Sequence, residues 1–475
     1  MVTDEATDER PGKPAGAPAR SRIVIVGPTH PYKGGVAQHT TELAHRLMAR
    51  GHDVRLESWS AQYPARLYPG RQRVDVPETR PFPATSYPLS WRRPDTWVRL
   101  GHRLRTGANA VDAVDAVDAV DAVIIVVVTP IQVPAYLGIL AGLRPAAPWP
   151  GGIPAGAGQT GDGRTVRGGR GLPAVGRWGE EPVALALCHN VLPHERRALD
   201  VPLVRAVLRR VSGVLVHTPA EAERARGLTA RPVWVAPMAP HLGTAGAPQP
   251  TASSPAVSQS GISQPGTAES DTAQSDTTEL RTAELGTAEA EAKRRGDGVP
   301  ARGLLFFGLV RPYKGLDVLL RALAAGPPDV RLTVAGEFWG GVDDTRRLVD
   351  ELGLAGRVEL RPGYVPAAEV PALFAAADAL VLPYRSATAT QNVDLAHRHG
   401  LPVVATSVGM LGQAVRDGVD GLLAAPDDPG SLAAALRRLY EPGVLDTLRA
   451  GVVPPDADAA WERYLTVLHN ALGRR

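Results

Sequence analysis

Cysteine is almost absent from this chain of 475 residues, and long apolar runs are missing. Because Cys188 is the single cysteine, no intramolecular disulfide can form, which favours a reducing, cytoplasmic setting. The most apolar run, AVIIVVV (122–128), is far shorter than the roughly 20 residues that a membrane-spanning helix needs. No transmembrane segment is therefore predicted, while loose association with the inner face of a membrane stays open.

An excess of charge of one sign is also missing. The formal net charge is +3, close to neutral for this length, which argues against a nucleic-acid partner. Residues 1–21 are polar and rich in acids, proline and alanine, and they lack the apolar core of a signal peptide. They predict a disordered tail.

Several catalytic signatures are missing as well. The sequence has no G-x-x-x-x-G-K-[ST] loop, no G-x-G-x-x-G fingerprint and no cysteine–histidine cluster suited to zinc. Its literal Asp-x-Asp match, at 456–458, begins the last helical pattern instead of ending a strand. These absences disfavour a dehydrogenase and a metal-dependent transferase, and they predict no metal site.

Short apolar runs rich in β-branched residues alternate with helical patterns along most of the chain. RIVIVG (22–27) and GLLFFG (303–308), for example, are each followed by an amphipathic helical segment. Such alternation predicts parallel sheets covered by helices, and the length favours two domains. We expect two Rossmann-like domains that face each other across a cleft, over 22–242 and 303–455, and a terminal helix over 456–475.

Two stretches interrupt this alternation. Residues 144–182 are rich in glycine, proline and arginine without any period, which predicts a flexible loop inside the first domain. Residues 243–302 are rich in serine, threonine, alanine and glutamate and contain few apolar residues. They cannot bury a core, so the sequence predicts a disordered linker between the domains.

Arg311 and Lys314 stand where a strand gives way to a helix, in FFGLVRPYKGLDVLLRALA. Free N–H groups and partial positive charge at helix N-termini attract anions. An arginine can fork onto two oxygens and a lysine adds a point charge, so the pair predicts a diphosphate clamp. Two solvated cations in a surface turn are the alternative.

Several segments of the chain resemble glycosyltransferase family 4, and they occur in the same order as in that family. Those similar to its N-terminal half are GPTHPYKGGVAQHTTELAHRLMARGHDV, ALCHNVLPHE and GVLVHTPAEAERAR. Those similar to its C-terminal half are FFGLVRPYKGLDVLLRAL, LTVAGEFW, VELRPGYVPAAEVPALFAAADALVLPY and GLPVVATSVGMLGQAVRDGVDGLLAAPDDPGSLAAALRRL. The resemblance implies a GT-B fold with an acceptor-binding first domain, a nucleotide-sugar-binding second domain and a terminal helix that returns to the first. It also implies retaining transfer without a metal or other cofactor.

The resemblance further implies residue roles. Arg311, Lys314 and His189 are the candidate catalytic residues, because they match the diphosphate-binding cations and a cleft position near the reacting sugar. The other donor-side candidates are Gly34, Gly35, Glu337, Tyr364, Thr390, Gln391 and Asp394; the acceptor-side candidates are His189, Asn190, His194 and Glu195. The alternatives are a tight turn for the glycines, a structural histidine at 189, and surface-loop positions for His194, Glu195 and Glu337.

The chain departs from the family where two glutamates, eight positions apart, are usual. Ala387 and Leu395 occupy those positions, and the second normally holds the donor ribose. Asp394 is adjacent, but we expect it to face another side of its helix. This departure puts the ribose contact in doubt.

The sequence thus predicts a retaining glycosyltransferase of the α/β class. We expect it to move a hexose-type sugar from a nucleotide donor to a glycan, lipid-linked or small-molecule acceptor, in cell-envelope polysaccharide synthesis. A GT-B-like protein that binds a nucleotide or glycan without catalysis is the main alternative, and a phosphorylase or epimerase on the same fold is a third.

Overall fold

The computed structural model describes residues 20–64, 72–107, 119–144, 182–193, 197–241, 302–387 and 391–473. Except for their terminal positions, the predicted tail, the predicted loop at 144–182 and the predicted linker at 243–302 lie outside these residues.

The first part of the described chain builds a parallel sheet of seven strands in the order β3-β2-β1-β4-β5-β6-β7. In the central pairs Ile25 of β1 lies opposite Leu56 of β2 and Ile124 of β4. The strands are β1 (Arg22–Val26), β2 (Asp53–Ala61), β3 (Thr85–Ser90), β4 (Ala122–Val127), β5 (Val183–Cys188), β6 (Gly213–Val216) and β7 (Val233–Val235). All residues of β4, β5 and β6 are buried, as is typical of parallel strands covered by helices on both faces.

Helices cover both faces of this sheet. They are α1 (Gly35–Ala49), α2 (Asp95–Thr106), α3 (Val133–Leu143), α4 (Asp200–Leu208) and α5 (Pro219–Arg226). Leu43 and Leu47 of α1 pack in one apolar core, and Leu100 of α2 and Tyr136 of α3 pack in the core on the opposite face.

The second part of the described chain builds a parallel sheet of six strands in the order β10-β9-β8-β11-β12-β13. The strands are β8 (Arg302–Phe307), β9 (Val330–Gly336), β10 (Val358–Pro362), β11 (Ala379–Leu382), β12 (Val403–Thr406) and β13 (Gly421–Ala424). The helices are α6 (Leu316–Ala325), α7 (Asp343–Glu351), α8 (Val370–Ala375), α9 (Asn392–Arg398), α10 (Leu411–Ala414), α11 (Pro429–Leu439) and α12 (Val444–Gly451).

Four of these elements were not predicted from the sequence. Strand β3, TSYPLS, contains a proline and lies at the sheet edge, so its pattern is not that of a buried strand. Helix α2 is strongly polar, β13 has four residues and α12 follows a glycine turn. Tertiary packing, not local propensity, stabilises such elements.

The last helix, α13 (Ala457–Gly473), packs against the first sheet. Trp461 and Tyr464 are almost fully buried in the same core as Leu43 and Leu47 of α1. The Trp461 Nε1–H group donates a 3.0 Å hydrogen bond to the carbonyl of Pro240. Both ends of the described chain therefore contribute to one core.

Among the described residues, none of the helices combines the length and the hydropathy that crossing a membrane would require.

Replacing Trp461 by alanine tests how strongly α13 is docked. The variant leaves a large cavity and the Pro240 carbonyl unpaired, so we expect Trp461→Ala to lower the free energy of unfolding by about 3–5 kcal/mol. Urea denaturation measures the change. Arg463→Ala, at an exposed position two residues on, is the control and should change stability by less than ~0.5 kcal/mol. Equal effects of the two variants would show that α13 is not firmly docked.

Candidate functional site

Side chains that follow strands of one sheet meet side chains that follow strands of the other. Lys33, between β1 and α1, forms an ion pair with Glu337, the residue after β9. The hydroxyl of Tyr364, two residues after β10, donates a 2.8 Å hydrogen bond to Glu78. Ligands of open parallel sheets bind at the carboxyl ends of the strands, so this cleft is the candidate site.

Lys314 is a buried cation at this end of β8. It lies in a short 3₁₀ turn directly before α6, and 9 % of the residue is exposed. Its Nζ atom lies 5.3 Å from the centre of the Tyr384 ring and packs against Gly308. In the described part of the chain, no carboxylate oxygen lies within ion-pair distance of Lys314. Burial, and secondarily the charge of Arg311, lowers its pKa.

Arg311 is half-buried and begins the same turn. Its guanidinium lies 4.3 Å from the centre of the Trp339 ring. Since Arg311 is close enough to lower the pKa of Lys314, the turn concentrates positive charge where the sequence predicts a diphosphate.

Arg385 holds this turn in place. Its guanidinium donates hydrogen bonds of 2.8 Å to the carbonyl of Pro312 and of 2.7 and 2.8 Å to the carboxylate of Asp317. Gly315, between Lys314 and α6, has φ 66°, and a Cβ there would lie 2.1 Å from the carbonyl oxygen of Pro383. The turn that carries Lys314 is therefore fixed against the loop after β11.

The glycine loop of the first domain faces the second. Gly34 caps α1 with φ 98°, a conformation that favours glycine, and Gly35 begins the helix. The Gly34 N–H group donates a 2.8 Å hydrogen bond to the carboxylate of Glu78. A helix of 15 residues thus presents its N-terminal end to the cleft, where a side-chain carboxylate already accepts from it.

Glu337 and Tyr364, both predicted on the donor side, lie beside each other around Lys33. The side chains of Lys33 and Glu337 are 5 % and 17 % exposed, so their ion pair is nearly buried between the domains. Lys33 Nζ also lies 5.3 Å from the centre of the Tyr364 ring.

The start of α9 brings another part of the second domain to the first. The Gln391 side-chain oxygen accepts a 3.1 Å hydrogen bond from the backbone N–H of His241, and its amide donates to Asp394 at 3.2 Å. Burial raises the pKa of Asp394 to about 6, although Arg398 opposes the shift. Leu395 packs in the core, so Asp394 does face another side of the helix. Thr390 lies outside the described residues.

His189 directly follows β5 and belongs to a group that we call the histidine cluster: His39, His189, His217 and His241. Its ring centre lies 4.9 Å from that of His39 and 4.8 Å from that of His217. Its Nε2 atom is buried and, like both ring nitrogens of His39, has no hydrogen-bond partner among the residues that the structure describes. Trp461 of α13 stacks on His39 at 5.3 Å.

The histidine cluster is neutral at physiological pH. Burial, assisted by the neighbouring imidazoles, holds the pKa of His39 and that of His189 well below the usual value. Burial likewise lowers the pKa of His217 and that of His241 to about 4, against opposing hydrogen bonds to backbone carbonyls. Packing of α13 and of the segment at His241 thus requires uncharged rings.

The other acceptor-side candidates are only partly described. Asn190 follows His189 and is half-buried. His194 and Glu195 lie outside the described residues.

Sequence reasoning missed four residues of this site: Lys33, Glu78, Arg385 and His39. Lys33 adjoins the glycine pair and could have been found as a third cation in a strand-to-helix loop. Glu78 and Arg385 carry no local signal, because their side-chain partners lie 42 or more positions away in sequence. In the sequence, His39 is one polar residue of an amphipathic helix, and nothing nearby in the sequence marks it as part of a site.

Within the residues that the structure describes, no group of three or more His, Cys, Asp or Glu side chains is arranged to hold a metal ion.

Comparison with known proteins finds a family match in the second domain. Residues 301–442 match the family model described as "Glycosyl transferases group 1". The D-inositol 3-phosphate glycosyltransferase 1 of Catenulispora acidiphila is 36 % identical over 185 residues, which are 36 % of this chain and 44 % of that relative. The chain therefore matches less than half the length of this curated relative.

Solved structures match nearly the whole chain. Sucrose-phosphate synthase from Thermosynechococcus elongatus aligns over 95 % of this chain and 96 % of its own, with 17 % identity and a TM-score of 0.56. Anabaena Alr3699/HepE in complex with UDP-glucose aligns over 95 % and 98 %, with 17 % identity and a TM-score of 0.53. At this identity the likeness shows the fold, and the predicted GT-B architecture of two Rossmann-like domains is confirmed.

The histidine cluster predicts a stability loss in mild acid. An unfolded histidine has a pKa of about 6.5, so between pH 6.5 and about 4 the unfolded chain binds protons that the buried rings do not. The contribution of the neutral histidines to the free energy of unfolding is fully present above pH 6.5, and it is lost as the pH is lowered. For a folded pKa of about 4, the loss down to pH 5 is about 2 kcal/mol per histidine.

Urea denaturation at pH 7 and pH 5 checks this expectation. His217→Asn should lose about 2 kcal/mol less than the unaltered protein over that interval, because its acid-sensitive ring is gone. His102→Asn, which removes an exposed histidine, should lose as much as the unaltered protein. An identical loss in His217→Asn would show that the cluster does not set the acid sensitivity.

Proposed function

Because residues 301–442 form a glycosyl transferases group 1 domain within a GT-B fold, we propose that the chain is a retaining glycosyltransferase. It moves a hexose-type sugar from a nucleoside diphosphate donor to an acceptor bound by the first domain. The observation that carries the proposal is Lys314, a buried ammonium group that lacks a carboxylate within ion-pair distance among the described residues and lies at the carboxyl end of β8.

The departing diphosphate supplies the anion that this site needs. As the bond between sugar and phosphate breaks, negative charge grows on the leaving oxygen, and a fixed cation stabilises that charge more than it stabilises the ground state. Lys314 provides a point charge and Arg311 a planar fork, while Arg385 keeps their turn rigid. Gly34 offers a backbone N–H group from the facing domain.

Attack from the same face as the leaving group accounts for retention in this proposal. The leaving phosphate accepts the proton of the acceptor hydroxyl. The reaction therefore requires neither a metal nor a pair of catalytic carboxylates. His189 hydrogen-bonds the reacting sugar through Nε2, which lacks a hydrogen-bond partner within the described part of the chain. Asn190, His194 and Glu195 contact the acceptor.

The other donor-side candidates are assigned to the nucleotide. Gly35, Glu337, Tyr364, Thr390, Gln391 and Asp394 surround the nucleotide. UDP-glucose in the Anabaena structure supports a nucleotide-sugar donor, and the named activity of the Catenulispora relative supports glycosyl transfer. For the acceptor we propose a glycan or lipid-linked molecule of cell-envelope synthesis, met at the cytoplasmic face of a membrane.

A second candidate function is nucleotide binding without catalysis. Leu395, where the family has its ribose-binding glutamate, is buried in the apolar core and cannot contact a sugar hydroxyl. A donor that lacks this contact could bind without being positioned for transfer.

Incubation with a panel of nucleotide sugars separates the two functions. Purified protein is supplied with UDP-, GDP-, ADP- and dTDP-hexoses, and free nucleoside diphosphate is measured over time. Transferase activity predicts slow release from at least one donor, faster with a competent acceptor. Binding detected by calorimetry without any release would favour the second candidate.

Replacing Lys314 by alanine tests the role of the buried cation. We expect Lys314→Ala to lower kcat/KM for nucleoside diphosphate release by about 100-fold or more, since one preorganised charge at the leaving group is removed. Folding should survive, because the change removes an ammonium group that has no counter-ion among the described residues.

Two further variants complete this test. Lys314→Arg keeps the charge and should recover part of the activity, whereas Arg347→Ala, at an exposed position on α7, should behave as the unaltered protein. Unchanged turnover in Lys314→Ala would rule out the clamp.

A further inference from the structure

One polar network joins the two domains. We call it the cleft latch: Lys33, Gly34 and Glu78 of the first domain with Glu337 and Tyr364 of the second. Lys33 pairs with Glu337 and lies over the Tyr364 ring. Glu78 accepts from the Gly34 N–H group through Oε2 and from the Tyr364 hydroxyl through Oε1, each at 2.8 Å.

Within the latch, the Glu78 carboxylate occupies a position where an anion would bind. It lies against the backbone N–H group at the start of α1, where a carboxylate and a phosphate oxygen would make the same contact. Within the described residues, no lysine or arginine lies within ion-pair distance of Glu78. Two neutral donors therefore hold this charge, one from each domain.

The Lys33–Glu337 pair, unlike Glu78, adds no net charge to the latch. Both partners are mostly buried, and they cancel each other's charge across the cleft. The Glu78 carboxylate therefore leaves the latch with a net negative charge.

We propose that Glu78 is a built-in competitor for the donor's diphosphate. In the absence of donor it occupies Gly34 and, through Tyr364, holds the domains together; an incoming diphosphate takes Gly34 and releases Tyr364. This inference rests on the proposed function, because it assumes that a nucleoside diphosphate binds in the cleft.

Removing a residue that competes with the nucleotide should change the affinity in the opposite direction from removing a residue that binds it. Free energy spent on displacing Glu78 is subtracted from the observed affinity, so removing the carboxylate should tighten nucleotide binding. It also removes a negative charge that repels the diphosphate. A residue that contacted the nucleotide favourably would weaken binding when removed.

Calorimetric titration with UDP measures the first consequence. Glu78→Ala should bind UDP about tenfold more tightly than the unaltered protein, the scale expected for loss of a charge-assisted hydrogen bond. Glu78→Gln keeps the shape without the charge and should fall between the two. Glu351→Ala, which removes an exposed glutamate at the end of α7, is the matched control and should leave affinity unchanged.

Spin-label distances measure the second consequence without any ligand. Cys188 is the single cysteine of the chain and is fully buried, so labels attach selectively to introduced cysteines. Arg99→Cys on α2 and Arg347→Cys on α7 place one label on an exposed site of each domain. In ligand-free protein, Glu78→Ala should broaden the distance distribution, because one of the contacts between the domains is lost.

The outcomes separate this inference from the proposed function. Tighter UDP binding with a broadened ligand-free distribution supports the competitor. Equal or weaker UDP binding in Glu78→Ala, with UDP bound by the unaltered protein, overturns it and leaves the proposed function intact. Failure of both proteins to bind UDP, ADP or GDP contradicts the proposed function, and the competitor fails with it. In that case an unchanged distance distribution would also exclude a role for Glu78 in closure.

Discussion

A buried ammonium group that has no carboxylate partner in the described chain is the constraint around which this cleft is organised. Lys314 lies in a turn before α6, 9 % exposed, against Gly308 and the Tyr384 ring. Burying an uncompensated charge is costly, so its persistence requires a rigid surrounding structure. Arg385 and Gly315 supply that rigidity by joining the turn to the loop after β11. An anion bound in the cleft would supply the opposite charge for this ammonium group.

The two domains contribute opposite kinds of environment to the cleft. The second brings fixed cations at residues 311 and 314, while the first brings a helix N-terminus at Gly34 and, behind it, the neutral histidine cluster. The cluster packs on Trp461 of α13, so the last helix of the chain supports the position of His189. Pairing across the cleft by Lys33 and Glu337 balances charge between the domains. Each half of the site therefore depends on chain segments that are distant in sequence.

The fold was predictable from the sequence because alternation of β-branched runs and helical patterns is a local signal. Strand β4 is a continuous buried run and β8 is buried over its central residues, and the parallel sheets that these runs predict are confirmed. Strand β3 and helix α2 escaped prediction because an edge strand and a polar helix have weak patterns. Lys314 was identifiable from its place between strand and helix.

Contacts within the site were less predictable. Glu337 was expected beside the nucleotide, yet its partner is Lys33, 304 positions earlier, and no local pattern encodes that distance. Glu78 lies in an irregular segment, and its two hydrogen-bond partners come from different domains. The histidine cluster likewise joins α1, the ends of β5 and β6, and the segment at His241. These relations are set by tertiary packing.

Lys314 is proposed to bind the diphosphate of the donor, and a titration of its ammonium group measures this interaction. The chain has four lysines, so lysine-selective ¹³C NMR gives few signals, and Lys314→Ala assigns the one that matters. Burial lowers the pKa of Lys314 in the free protein. Saturation with UDP should move its titration to higher pH, because a diphosphate stabilises the ammonium form. An unchanged titration of Lys314, with UDP demonstrably bound, would contradict the claim.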